Sequence, residues 1–258
     1  KTVIFVPERA PIGKVVQLLI FGANVVSVKG DYRQTFELSK AAIEKWGFYN
    51  RNAGINPVMT EGKKTVAIEI AEQLNWNPTD WVAISVGDGC TIGGVYNGFY
   101  DLLQLGMIER IPKILGVQST GCCPFVNADA AGGALVPTPE NTLADSISVG
   151  VPRNPVKAQR AVKASGGAWI AVSDDEILEA MRMLGRAEGV FGEPAGVTAT
   201  AGVKAAVERG MIKSSESVTV VSTGSGLKDV KNAMLAAGEP FACEPDIRVL
   251  EASGRIKQ

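Results

Sequence analysis

Residues 86–94 read VGDGCTIGG, a glycine-rich turn between the apolar run DWVAISVG (80–87) and the stretch VYNGFYDLLQLG. A strand that turns on glycines into a helix N-terminus presents unpaired backbone N–H groups at the positive end of the helix dipole, which makes an anion site. Glycines let a phosphate approach the backbone and permit positive φ. Three ligand classes compete for the loop. A nucleoside triphosphate loop requires lysine and then Ser or Thr after the second glycine group, whereas Gly93 and Gly94 are followed by Val95 and Tyr96. A dinucleotide fingerprint requires glycine where Ile92 stands, and an acid where the next strand ends in Gln118. A single phosphate monoester needs only a few N–H groups and one hydroxyl, which Thr91 supplies. Taken alone, the loop serves equally well as a structural turn.

A second strand end bears on that choice. VTVVSTGSGLKD (218–229) places Ser222, Thr223 and Ser225 around Gly224 and Gly226. In open α/β sheets, ligands collect at the carboxyl ends of the strands. One loop suited to phosphate and one offering a neutral hydroxyl fit a small phosphorylated ligand with a polar ring, of which pyridoxal phosphate is an example. The chain has no histidine. Ser-His and Cys-His nucleophile pairs and histidine metal sites are thereby excluded, and acid–base chemistry falls to lysine, carboxylates or a cofactor. The four cysteines, Cys90, Cys122, Cys123 and Cys243, form no C-x-x-C pair and read as free thiols of a reducing compartment; no metal site is expected. Cys90 reads as a small residue that fits its loop, and Cys122-Cys123 as packing ahead of Pro124.

The elements that position these loops alternate between strand and helix, predicting an α/β chain with a largely parallel sheet. Strands are predicted at 2–7, 24–30, 48–52, 80–87, 112–118, 168–172 and 217–223. Helices are predicted at 11–22, at 31–47 behind an Asp31 cap and closed by Gly47, and at 60–74 behind Thr60. Further helices are predicted from near Thr91, at 155–165, at 173–189 and at 195–209, with 119–156 rich in loops. The run Asp174-Asp175-Glu176 reads as a solvated first helical turn. Lys1 stands directly before an apolar strand, from which preceding sequence is expected.

With 258 residues, 46% of them hydrophobic and 21% charged, the chain has the composition of a soluble globular protein with a sizeable core. A net charge of -1 without a basic cluster offers nothing to nucleic acid or an anionic membrane. No apolar run is long enough to span a bilayer, and the expected location is cytoplasmic.

The segments VPERAPIGK, NRNAGINPVMTEGKKTVAIEIAEQL, VGDGCTIGG, TLADSISVGVPRNP, SDDEILEA, GEPAG and STGSGLKD run in order from Thr2 to about Asp229. On these the chain resembles pyridoxal-phosphate enzymes of fold type II, related to tryptophan synthase β, and within them most closely the threonine synthases. The resemblance implies two open, mostly parallel three-layer α/β/α domains. Residues 1–59 would form the smaller one, incomplete at its N-terminus, and 60–258 the larger, cofactor-binding one. It implies that Gly87, Asp88, Gly89, Cys90 and Thr91 bind the phosphate of pyridoxal 5'-phosphate, that Thr223 faces the pyridine nitrogen, and that Asn52 lies beside the ring hydroxyl. Glu193 and Pro194 would line the ring's edge, although Glu193 reads equally as a helix-start carboxylate. A homodimer acting on a small amino-acid substrate is implied.

Two departures from the family pattern matter. The lysine that forms the Schiff base belongs to a segment ahead of the match at Thr2, and no lysine here, Lys14 included, stands in that context. No catalytic residue is therefore assigned, and the chain reads as the larger C-terminal portion of an enzyme, inactive alone, or as a non-catalytic remnant. Second, Met59 stands where many threonine synthases carry an arginine for the substrate phosphate, leaving Arg51, Lys63 or Lys64 to compensate. The activity implied is a lyase converting O-phosphohomoserine to threonine and phosphate. The alternatives are threonine or serine deamination, diaminopropionate cleavage and a cysteate-synthase-like addition.

Overall fold

The computed structural model describes residues 1–255. The chain opens with β1 (Val3–Pro7), α1 (Ile12–Ile20), β2 (Asn24–Val28) and α2 (Tyr32–Trp46). β1 and β2 pair in parallel from Val3↔Asn24 to Pro7↔Val28. Both ends of α2 follow from its sequence. The Asp31 carboxylate accepts the Gln34 N–H at 2.7 Å, and the Gln34 side-chain oxygen accepts the Asp31 N–H at 2.9 Å. This reciprocal cap satisfies two of the helix's open donors. Gly47 then closes it at φ 66°.

The strand expected at 48–52 does not form. That segment is irregular and pairs with no strand, and side chains hold it: Asn56 Nδ2 donates to the Asn50 carbonyl at 2.8 Å. The next helix also starts earlier than expected. α3 (Pro57–Glu61) is capped by Asn56, whose side chain accepts the Val58 N–H, and Pro57 supplies a preset φ at its first position. A 3-10 turn, Gly62–Lys64, leads into α4 (Thr65–Gln73). Thr60 is therefore a buried residue inside α3 rather than a cap.

The remaining elements are β3 (Trp81–Ser85), α5 (Cys90–Gln104), β4 (Lys113–Ser119), α6 (Pro124–Ala130), α7 (Pro155–Ala164), β5 (Ala168–Val172), α8 (Asp174–Glu188), α9 (Pro194–Glu208), β6 (Val218–Val221), α10 (Val230–Ala237) and α11 (Ile247–Ala252). The four strands form an all-parallel sheet in the order β5-β4-β3-β6. Alternate residues of each strand feed opposite faces, as the strand period requires. Trp81, Ala83, Leu115, Val117 and Ile170 pack with Ile177 and Met181 of α8 and Val197 and Ala201 of α9. Val82, Ile84 and Ile114 pack with Ala67 of α4, Val95 and Phe99 of α5 and Ala161 of α7. The result is an α/β architecture of parallel strands with helices on both faces of the four-stranded sheet. The two-stranded sheet precedes position 60 in the chain and the four-stranded sheet follows it, with α3 running through that position.

Long-range polar contacts tie the first elements to the larger sheet. Tyr32 Oη donates to Asp88 at 2.8 Å, and the Arg153 guanidinium lies 4.4 Å from the Phe36 ring centroid. Among the described residues no helix is long and apolar enough to cross a membrane, and no group of three or more Cys, Asp or Glu could hold a metal ion.

Candidate cofactor site

β3 leaves the sheet after Ser85. The Val86 N–H still reaches the Val117 carbonyl at 2.9 Å, after which the chain turns on Gly87 to Gly89 into α5. Gly89 sits at φ 83°, in the left-handed region where a side chain is costly. The first N–H of this turn to bond back to the chain is that of Gly93, on the Gly89 carbonyl at 3.2 Å. The N–H groups of Cys90, Thr91 and Ile92 therefore point outward with no acceptor among the described residues, at the positive end of a 15-residue helix.

Parallel pairing brings the second loop to the same sheet edge. β6 lies beside β3 with Ile84 opposite Val221, so the chain beyond Val221 emerges next to the glycine turn. Gly87, Asp88, Gly89, Cys90, Thr91 and Thr223 line one cavity of about 230 Å³, together with Lys63, Ser146 and Ala195. Asn52 stands apart. It lines a neighbouring depression of about 650 Å³ with Tyr32, Ser39 and Met59, and its Nδ2 donates to Ser39 Oγ at 3.2 Å. Its chain neighbour Ala53 borders the smaller cavity.

Within the turn, Asp88 directs its side chain to the protein. Its carboxylate accepts from Tyr32 Oη at 2.8 Å and from the Arg153 N–H at 3.1 Å, and its carbonyl accepts the Asn154 N–H at 2.9 Å. Burial raises the Asp88 carboxyl pKa, opposed by the Tyr32 hydrogen bond and by Arg153. Tyr32 is raised in turn, first by burial and then by Asp88. Cys90 is buried, and Asn154 Nδ2 donates to its sulfur at 3.1 Å. Burial pushes this thiol up and Asp88 adds to the effect, while Lys63 and Lys157 oppose it. Burial and the raised pKa leave this thiol less thiolate than an exposed cysteine carries.

Glu193 precedes α9 but makes no side-chain cap. Its carboxylate instead accepts from Lys14 Nζ at 2.9 Å, and its N–H donates to the Gly224 carbonyl at 3.0 Å, beside Thr223. Lys14 also donates to Ser146 Oγ at 2.6 Å. The motif position of Lys14 gave no sign of this partnership, which only the packing of α1 against the 226–229 turn creates. Asp174 corrects a further expectation. It is not solvated, because its carboxylate accepts from Ser119 Oγ at 3.0 Å, Thr142 Oγ1 at 2.6 Å and the Leu143 N–H at 3.0 Å. The helix cap is Ser173, paired with Glu176. Asp174 instead ties the end of β4, at Ser119, to the 142–143 segment that follows α6.

The arrangement suits a phosphate ester at the open N–H groups, with a ring reaching toward Thr223. A sequence-family model described as pyridoxal-phosphate dependent enzyme matches residues 1–224. The threonine synthase of Methanocaldococcus jannaschii is 38% identical over 255 residues, covering 97% of this chain and 62% of that protein. The threonine synthase of Mycobacterium bovis is 33% identical over 254 residues, covering 97% of this chain and 68% of that protein. The chain thus spans about three fifths of the length of the first of these relatives. Among solved structures, the processed form of threonine deaminase isoform 2 from Solanum lycopersicum matches with a TM-score of 0.75 at 23% identity, covering 92% of this chain and 66% of that one. That likeness concerns the fold. The outward N–H groups of α5 and the neutral hydroxyl across the cavity fit the phosphate and ring of pyridoxal 5'-phosphate, and the chain belongs to the pyridoxal-phosphate-dependent enzymes of fold type II, related to the threonine synthases.

Proposed function

We propose that these residues form the cofactor-binding part of a pyridoxal-phosphate-dependent carbon–oxygen lyase that converts O-phosphohomoserine and water to threonine and phosphate. The observation that carries this reading is the single cavity shared by the α5 N-terminus and Thr223. The names of the relatives supply the choice of reaction. The proposal concerns the whole protein, since the chain spans about three fifths of the first relative's length and no lysine in it is assigned to bond the cofactor.

When bound, the cofactor supplies an electron sink for bond breaking next to the substrate's amino group. The chain's own residues bind and orient it. The N–H groups of residues 87–91 and the Thr91 hydroxyl hold the phosphate. Asp88 serves by fixing the turn through Tyr32 and Arg153 rather than by touching an anion. Thr223 offers the ring nitrogen a neutral hydroxyl, which does not hold a proton there as a carboxylate would, so the sink is moderated toward elimination and replacement. Glu193, paired with Lys14 at 2.9 Å, packs beside Thr223 at the ring's edge. Asn52, pinned by Ser39, stands at the adjoining depression, where substrate would enter beside the ring hydroxyl.

A second reading, deamination of threonine or serine, is favoured by Met59, which gives the larger depression a thioether where the synthase pattern has an arginine. Incubating the whole protein with O-phosphohomoserine, and separately with threonine, distinguishes the two. Threonine and phosphate formed together support the synthase. Ammonia and a 2-oxo acid from threonine, without threonine from O-phosphohomoserine, overturn it.

A further inference from the structure

Gly93 and Gly94 stand in the first turn of α5, just past the open N–H groups. A Cβ on Gly94 would come within 2.6 Å of the Lys63 Cβ and 2.9 Å of the Thr60 carbonyl oxygen. A Cβ on Gly93 would come within 3.1 Å of the Lys157 Cβ. The two glycines therefore let two lysines, from the 62–64 turn and from α7, lie directly against the anion-binding end of the helix. The charges of these lysines are not consumed elsewhere. Neither has a carboxylate partner within 4.0 Å among the described residues, whereas Lys64 is held by Glu61 and Asp101, each at 2.7 Å. Lys63 is also the only lysine or arginine lining the cavity that holds the glycine turn. The nearest carboxylate in that turn, Asp88, is already bonded to Tyr32 and Arg153.

We propose that Lys63 is a direct ligand of the phosphomonoester bound at the α5 N-terminus, the cofactor's own phosphate, with Lys157 acting as a second and more distant positive charge. This rests on the cofactor site proposed above. A dianionic ester held only by neutral N–H groups and a half-charge of helix dipole is incompletely neutralised, and one ammonium at the cavity wall supplies the difference.

The test is calorimetric titration of the protein with pyridoxine 5'-phosphate, whose alcohol cannot bond covalently to any lysine, and with pyridoxine. Lys63→Met is expected to weaken pyridoxine 5'-phosphate binding about tenfold and to leave pyridoxine unchanged. Lys63→Arg should restore most of the loss. Lys157→Met should cost about twofold and flatten the salt dependence. If Lys63→Met melts well below the wild type, Lys63→Gln is read in its place. Unchanged pyridoxine 5'-phosphate affinity in a folded Lys63 variant overturns the inference while the cofactor site stands. So does an unchanged cofactor affinity with weakened O-phosphohomoserine binding, which would give Lys63 to the substrate's phosphate. A wild type that binds pyridoxine as tightly as its phosphate ester removes the site itself, and the inference with it.

Discussion

The ammonium of Lys14, on α1, lies 2.9 Å from the carboxylate of Glu193, at the start of α9. The pair joins the helix between β1 and β2 to the start of α9, and Lys14 also reaches Ser146, which lines the cavity with Thr223. The Glu193 side chain is 9% exposed and that of Lys14 is 24% exposed, so solvent screens the contact only partly. Lys14→Met should leave a buried carboxylate unpaired and destabilise the protein on the order of 2 kcal/mol, below the cost for a fully buried pair. Urea denaturation measures this. Lys14→Arg should recover part of the loss, since the charge is kept while the Ser146 geometry is not.

The hydrogen bond from Tyr32 to Asp88 sets a pH dependence. The folded Asp88 carboxyl titrates above its unfolded value, chiefly through burial. The native state therefore keeps this proton where the unfolded chain has released it, and the contribution of Asp88 to stability falls as pH rises from the ordinary carboxylate range through its own folded value. Tyr32→Phe removes a donor to the charged form, which raises that folded value further. The variant should lose about 1–3 kcal/mol at neutral pH and less at pH 4. Thermal melts of both proteins across that range check the sign, and a larger deficit at pH 4 would contradict it.

Gly89 tests the turn itself. Its φ of 83° is costly for any side chain, and an added Cβ would meet the Ala158 Cβ at 2.8 Å and the Asn154 carbonyl oxygen at 2.9 Å. Gly89→Ala should cost at least about 1–2 kcal/mol from the backbone alone. It should also weaken pyridoxine 5'-phosphate binding, because relieving the clash moves the N–H groups of residues 89–91. Calorimetry and denaturation on one preparation separate the two effects.

How far the molecule was legible in its sequence depended on how local each cause is. β3 and β4 announce themselves because both of their faces are buried and the apolar runs are continuous, and α2 does so because Asp31 and Gly47 carry its boundaries. The shared cavity followed from two loops at adjacent strand ends, a rule of parallel sheets rather than of any one residue. Residues 48–52 misled because tyrosine and phenylalanine favour strands, yet here the segment has no partner strand and asparagine side chains satisfy its backbone. Thr60 and Asn56 are both good caps, and Pro57 decided between them. Asp174 looked solvated because its partners, Ser119 and Thr142, are remote in sequence. The same distance hid the contact of Lys14 with Glu193 and the position of Lys63 against Gly94.

Thiol reactivity gives the last prediction, and it separates the four cysteines by environment. Cys90 and Cys122 are buried, Cys123 is intermediate and Cys243 is exposed. Burial pushes the thiols of Cys90, Cys122 and Cys123 above their ordinary value, so each presents less thiolate at neutral pH. Cys243 should therefore be alkylated first by iodoacetamide, and Cys90 only at the rate at which the α5 N-terminus opens. Replacing Asn154, which donates to the Cys90 sulfur at 3.1 Å, tests what holds that thiol in place. Asn154→Ala should speed Cys90 labelling, read by peptide mass spectrometry, by freeing the loop that covers it while leaving Cys243 unaffected. If Cys90 instead reacts as fast as Cys243 in the wild-type protein, the helix dipole and Lys63 outweigh burial at this site, and the thiol is an activated one.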